Sequence, residues 1–134
     1  MKKINSICII DDDPITVFGI QKMLRLVTDC ETINKFVNGK EAIDAITAML
    51  QNKKEIPQVI FLDINMPIMD GWQFLKEFIA LPIKEAVKVN IVTSSIDKLD
   101  HKNWEFYKTK THHLITFNNK PIKKEEIQRI TKVA

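Results

Sequence analysis

Short apolar runs and longer amphipathic stretches alternate along this chain. "INSICII" (4–10) is rich in isoleucine and stops at three consecutive aspartates. From Pro14 to Val27, apolar Val17, Phe18, Ile20, Met23, Leu24 and Val27 recur every three or four residues, the period of a helix with one buried face. Pro14 suits the first helical turn, and Asp13 before it reads as the cap. "ETINKFV" (31–37) alternates loosely and is β-branched, which predicts a more exposed strand. "NGKEAIDAITAML" opens as a turn and continues as a helix through Ala42, Ile43, Ile46, Met49 and Leu50. "QVIFL" (58–62) is continuous and apolar, and "GWQFLKEFIAL" (71–81) is helical up to Pro82, with Asp70-Gly71 as its structural start. "VKVNIVT" (87–93) reads as a strand, "KLDHKNWEFYKT" (98–109) as a more polar helix, "HLITF" (113–117) as a strand and "KKEEIQRITKV" (123–133) as a closing helix.

Five strand–helix units with strands apolar on both faces predict a parallel sheet covered by helices on each side. No linker-like tract or internal repeat divides residues 1–134, so the expectation is a single domain. In open sheets of this kind, ligands bind beyond the carboxyl ends of the strands, where the strand order reverses. The residues to inspect are therefore those that follow each apolar run.

Composition narrows the reading without redirecting it. Hydrophobic residues make up 45% of the chain and charged residues 28%, as in an ordinary globular protein. The net charge of +3 reflects 20 basic against 17 acidic residues, and the lysines are spread along the chain. A nucleic-acid-binding face would cluster them, so direct nucleic-acid binding is not expected. No apolar stretch approaches the ~20 residues of a membrane span, and "MKKINSICII" reaches acid before any cleavage site for export. Cys8 lies inside an apolar run, which suits a small core residue in a reducing compartment. A cytoplasmic location is expected.

The strand ends carry the chemistry. The first ends at Asp11-Asp12-Asp13, the third at Asp63, the fourth at Thr93-Ser94, and the fifth is followed by Lys120-Pro121. Carboxylates brought this close repel, and without a cation at least one of them would hold its proton. A hard divalent cation such as Mg²⁺ prefers oxygen ligands and is commonly held by one or two carboxylates plus phosphate oxygens. A lysine and a hydroxyl beside it are the parts that neutralise and orient a phosphoryl group.

Together, "CIIDDDP", "FLDINMPIMDGW", "IVTSS" and "FNNKP", in that order and at those separations, resemble the receiver domain of two-component response regulators, the single-domain chemotaxis-regulator type in particular. The resemblance covers nearly the whole chain. It implies a flavodoxin-like doubly wound (βα)5 sandwich, with a five-stranded parallel sheet in the order 2-1-3-4-5. It implies that Asp63 is the phosphoacceptor, with Thr93 and Lys120 completing the catalytic set. Asp11, Asp12, Asp63 and the backbone carbonyl of Asn65 would hold Mg²⁺, with Mn²⁺ as a substitute. Thr93 and Phe117 would form the switch, and Pro121 stands where the family often has a cis peptide bond. Asp13 is expected to cap its helix and not to bind the metal.

The implied function is a phosphorylation-operated switch. Asp63 would accept a phosphoryl group from a sensor histidine kinase or a histidine phosphotransfer protein and alter a protein-binding face. The chain would promote its own phosphorylation and dephosphorylation without being a turnover enzyme. With the closing helix ending at the last residue, output is expected through a downstream protein, a phosphorelay acceptor or a phosphorylation-dependent homodimer. An intermediate phosphate carrier and a phosphorylation-independent scaffold are the alternatives. A hydrolytic phosphatase would present a second carboxylate two residues after its nucleophile, where this chain has Asn65. A flavin-binding domain of similar topology would find its phosphate repelled by the acidic strand ends. The 27 positions between Thr93 and Lys120 are more than a compact receiver needs, so an unusual fourth helix is expected. Trp104, Phe106 and Tyr107 on that helix read equally as core or as partner surface. His112-His113 does not read as a metal site, because neighbours on a strand point to opposite faces.

Overall fold

The computed structural model describes residues 3–132. Strands and helices alternate as the periodicity predicts: β1 (Lys3–Ile10), α1 (Pro14–Val27), β2 (Asp29–Phe36), α2 (Gly39–Gln51), β3 (Val59–Leu62), α3 (Gly71–Ala80), β4 (Lys88–Thr93), α4 (Lys98–Lys108), β5 (Leu114–Asn119) and α5 (Lys124–Lys132). The expected helix end at Val133 lies outside the described residues. The five strands form one parallel sheet in the order β2-β1-β3-β4-β5, the flavodoxin-like arrangement. Among the described residues, no helix is long and apolar enough to cross a membrane.

The pleat of the strands sorts their side chains into two cores. Ile7, Ile9, Val59, Phe61 and Val92 face α1 and α5, where they meet Ile20, Leu24, Ile127 and Ile130. Cys8, Ile10, Ile60, Leu62, Val89 and Ile91 face the other way, onto Ile43, Ile46, Phe74, Leu75 and Phe78. Strands covered on both faces must be apolar at every position, which explains the unbroken "VIFL" of β3. β2 is an edge strand, and its half-exposed side chains account for its weaker alternation.

Two strand boundaries differ from the sequence reading by two residues, the others by one at most. β2 begins at Asp29, two residues early, because Lys3 and Ile4 of β1 pair with Asp29 and Cys30. β5 continues through Asn118 and Asn119, residues that propensity alone would place in a turn. Register with Val92 and Thr93 holds them in the sheet. The buried Asn118 amide also donates to the Ile91 carbonyl and the Thr116 hydroxyl, at 3.1 and 2.9 Å. Tertiary pairing overrides local preference there.

Helix starts follow the sequence signals closely. The Asp13 carboxylate accepts from the Ile15 N–H and the Thr16 hydroxyl, so Asp13 is the cap of α1. Asp70 and Gln73 form a reciprocal capping box at α3. α4 is the polar exception, with none of its residues buried. Its aromatic residues divide: Trp104 and Tyr107 pack against the core, while Phe106 stays 55% exposed.

Candidate functional site

The site lies where the carboxyl ends of β1 and β3 sit side by side at the centre of the sheet. Register pairs Ile10 with Leu62, so Asp11 and Asp63 leave the sheet together. The N–H of Asp63 donates to the Ile10 carbonyl (2.9 Å) and that of Asp11 to the Phe36 carbonyl (3.0 Å). Both carboxylates are thus set on sheet-like backbone, and both are buried, whereas Asp12 is exposed. One oxygen from each of Asp11, Asp12 and Asp63 lies within 4.8 Å of the others. This is a hard, anionic oxygen set of the kind that suits Mg²⁺ or Mn²⁺.

Lys120 enters from the far side of the sheet. Its Nζ lies 3.1 Å from Asp11 Oδ2 and 3.4 Å from Asp63 Oδ2. The Lys120 N–H donates to the Thr93 carbonyl (2.9 Å), and the following peptide to Pro121 is cis. β5 therefore delivers the ammonium across β4 to acids on β1 and β3.

Burial and charge act against one another here. Burial pushes the Asp11 carboxyl up to about 6, with the nearby Asp63 charge adding to the rise, while the Asp13 N–H and Lys120 oppose it. Asp63 is also raised, chiefly by burial, and Lys120 again opposes. For Lys120, burial favours the neutral amine, but bonding to Asp11 and the charges of Asp11 and Asp63 outweigh it, so the ammonium is held more firmly than usual. One lysine does not offset three carboxylates, and the remaining negative charge favours a further cation. The remaining contacts orient the acids: the Asp13 N–H donates to Asp11 Oδ1 (2.9 Å) and the Ile64 N–H to Asp63 Oδ1 (2.8 Å).

A sequence profile of the response regulator receiver domain matches residues 7–132. The chain belongs to that family. Among curated relatives, this receiver is 30% identical over 116 residues to the protein-glutamate methylesterase/protein-glutamine glutaminase 2 of Methanospirillum hungatei. The match takes in 86% of the receiver but only 30% of that protein. It is also 30% identical to the hybrid signal transduction histidine kinase L of Dictyostelium discoideum, over 98% of the receiver and 7% of that protein. The receiver thus spans less than a third of the length of either relative. Among solved structures, a two-component response regulator from Cytophaga hutchinsonii superposes with a TM-score of 0.81 at 26% identity, covering 98% of this chain and 96% of that one. The Mn(2+)-bound form of response regulator Rcp1 shares the fold, with a TM-score of 0.72 at 21% identity over 96% of this chain and 90% of that one.

The other residues singled out in the sequence lie around the acids at different removes. Thr93 is fully buried at the end of β4, and its hydroxyl accepts from the Ser95 N–H at 3.1 Å. Asn65 is exposed in the loop after β3. Phe117 is half-buried on the α4 side of β5, with its ring 5.5 Å from His101 and 5.8 Å from Trp104. It belongs to the receiver's outer face and not to the acidic cluster. His113 is buried just before β5, where its Nδ1 accepts from the Val87 N–H (2.9 Å), a structural role.

Two features of the surroundings are set by tertiary contact. Gly71 is a contact requirement: a Cβ there would lie 2.4 Å from the Asp63 carbonyl oxygen and 2.9 Å from the Ile64 Cα, both backbone atoms. Only glycine lets α3 start this close to the acid-bearing strand end. Asp100, an unremarked acid in a polar helix, accepts from Trp72 Nε1 (2.9 Å) and from the Ser95 hydroxyl. Nothing in its local sequence separates it from a solvated surface charge.

Proposed function

We propose that this receiver accepts a phosphoryl group on Asp63 from a histidine kinase or histidine phosphotransfer protein, in a Mg²⁺-dependent reaction, and that the phosphorylated form switches a protein-binding face. The observation that carries this reading is the placement of Lys120, whose ammonium bridges Asp11 and Asp63 at 3.1 and 3.4 Å beside a three-carboxylate cluster. Mg²⁺, when bound, offsets the charge of the acids and of the incoming phosphoryl oxygens.

Each residue then has a task set by its position. An Asp63 carboxylate oxygen attacks the phosphorus of a phosphohistidine: an O–P bond forms, the P–N bond breaks, and the freed imidazole takes a proton from solvent. Asp11, Asp12, Asp63 and the Asn65 backbone carbonyl would hold the metal. Lys120 pairs with the phosphoryl oxygens, which leaves Asp11 less fully paired on that side and favours the metal further. Thr93 donates its hydroxyl to the same group. The donor protein has an apolar surface to rest on, since Ile15 and Phe18 of α1 are 82% and 68% exposed. Phe18, with Pro14 and Val17, lines a groove of about 400 Å³ that also reaches Asp11 and Asp12. Movement of Thr93 toward the phosphoryl group would let Phe117 shift inward, changing the α4–β5–α5 surface read by a downstream protein or relay acceptor.

The decisive experiment incubates the protein with Mg²⁺ and acetyl phosphate and locates the added group by peptide mass spectrometry. The expected result is one phosphoryl group on Asp63, absent without the metal and absent in Asp63→Asn. Stoichiometric labelling of Asp63→Asn would reject the assignment.

A further inference from the structure

Asp63 and Thr93 are connected by a second route that runs outside the acidic cluster. It begins at Gly71, where a Cβ would collide with the Asp63 carbonyl and whose N–H donates to the Ile64 carbonyl at 2.8 Å. The next residue, Trp72, stacks on Tyr107 of α4, with centroids 5.9 Å apart and planes 14° from parallel. Its indole N–H donates to Asp100 Oδ1 at 2.9 Å. The other oxygen, Asp100 Oδ2, accepts from the Ser95 hydroxyl. That hydroxyl in turn accepts from the Asp97 N–H at 3.2 Å, and the Ser95 N–H donates to Thr93 Oγ1 at 3.1 Å. Both ends of the candidate site, the loop after Asp63 and the hydroxyl of Thr93, are thus tied to one carboxylate on α4.

We infer that Asp100 is a positioning residue: it clamps the start of α4 to α3, and through Ser95 it holds the Thr93 hydroxyl away from Asp63. The inference rests on the reading of Asp63 as phosphoacceptor. A carboxylate with both oxygens occupied by oriented donors makes stronger bonds than a neutral acceptor would. It is only partly exposed, so solvent replaces those donors poorly. Thr93 must give up the Ser95 N–H to turn toward a phosphoryl oxygen. A rigid Ser95 opposes that turn, and a released Ser95 permits it. Asp100 therefore sets the resting balance between the two arrangements, and every phosphorylation event works against it. Because Trp72 is one of its two donors, the indole also reports whether the clamp is closed.

The substitutions separate clamping from general support of the fold. Asp100→Ala removes both acceptors. Asp100→Asn keeps one oxygen for Trp72 and offers an amide N–H to the Ser95 hydroxyl, which can accept it, so the clamp survives. Trp72→Phe keeps the stacking on Tyr107 and deletes one donor. The first measurement is hydrogen exchange of the Ser95 amide by NMR in the unphosphorylated protein. It is expected to speed up roughly fivefold in Asp100→Ala, the size of one net hydrogen bond, and to stay near the parent in Asp100→Asn. The second is the rate of labelling by acetyl phosphate with Mg²⁺, expected to rise by a similar factor in Asp100→Ala, less in Trp72→Phe, and not in Asp100→Asn. Unchanged Ser95 exchange in Asp100→Ala, or loss of rescue by Asp100→Asn, overturns the inference. Should Asp100→Ala not fold, parent-like exchange and labelling in Trp72→Phe overturn it equally. If the parent itself takes no label on Asp63, the phosphoacceptor reading fails on its own, and Ser95 exchange still decides whether Asp100 holds the loop.

Discussion

His113 makes the stability of this protein depend on pH in a way that can be isolated. The ring is buried against Phe78, with centroids 4.9 Å apart, and next to His112 at 4.1 Å. Its Nδ1 accepts from the Val87 N–H, so the neutral ring carries its proton on Nε2, which has no partner among the described residues. Protonation would put a donor on Nδ1 against the Val87 donor and place a charge in the core. Burial, with a smaller contribution from His112, accordingly holds the imidazole down at about 4, against 6.5 for a free one.

The sign follows directly. Between pH 4 and 6.5 the unfolded chain binds a proton at this position and the folded chain does not, so acidification favours unfolding. The loss is negligible at pH 7, about 2 kcal/mol at pH 5 and about 3 kcal/mol at pH 4, taking both proton affinities at face value. Asp11 works in the opposite direction over the same range, because its folded carboxyl, held at about 6, takes up a proton before the unfolded one does. A pH profile of the parent alone therefore mixes the two. The contrast with His113→Asn separates them, since asparagine offers Val87 an oxygen acceptor, does not titrate and leaves Asp11 untouched. Its smaller volume costs stability equally at every pH. Urea denaturation of both proteins at pH 7.0, 6.0 and 5.0 should show the advantage of the parent shrinking by about 2 kcal/mol between the extremes. Parallel profiles would refute the account of His113.

Gly71→Ala should be destabilised by about 1–3 kcal/mol, because the new methyl meets backbone and not a side chain that can swing away. The urea midpoint measures this, and a value within 0.5 kcal/mol of the parent would mean that α3 can retreat from Asp63 at little cost. Asp12→Ala should weaken Mg²⁺ binding at least about tenfold, followed by Trp72 fluorescence. Asp13→Ala should bind Mg²⁺ as the parent does while losing about 1 kcal/mol of stability with its cap; equal losses of affinity would place Asp13 in the metal site. Phe117→Ala should still be labelled on Asp63 but show no phosphorylation-dependent gain in partner binding or self-association by light scattering or pull-down. A parent-like gain in that variant would route the signal around Phe117.

What the linear chain determines is local, and here it is a great deal. Apolar runs bounded by aspartate, threonine and lysine specify the strands and the edge at which those polar residues emerge, because a strand buried on both faces can place a charge only at its end. The period of Val17, Ile20, Leu24 and Val27 specifies α1, and Asp13-Pro14 its start, because capping chemistry acts within a few residues. Asp11, Asp63 and Thr93 were legible for the same reason, each standing at the end of an apolar run, whereas Lys120, two asparagines beyond "HLITF", was legible from the "FNNKP" pattern. Tertiary structure decided what depends on neighbours far apart in the chain. Asn118 and Asn119 are strand residues only because Val92 and Thr93 stand beside them. His113 is held neutral by the core that closes over it. Gly71 is needed because α3 starts against the Asp63 carbonyl. Asp100 looks like any solvated acid in "KLDHKNW" until folding brings Trp72, 28 residues away, to one of its oxygens and Ser95 to the other. Strand and helix periods are written by steric and hydrophobic rules that act between sequence neighbours. A carboxylate's partners are set by which surfaces meet when the sheet and its helices pack.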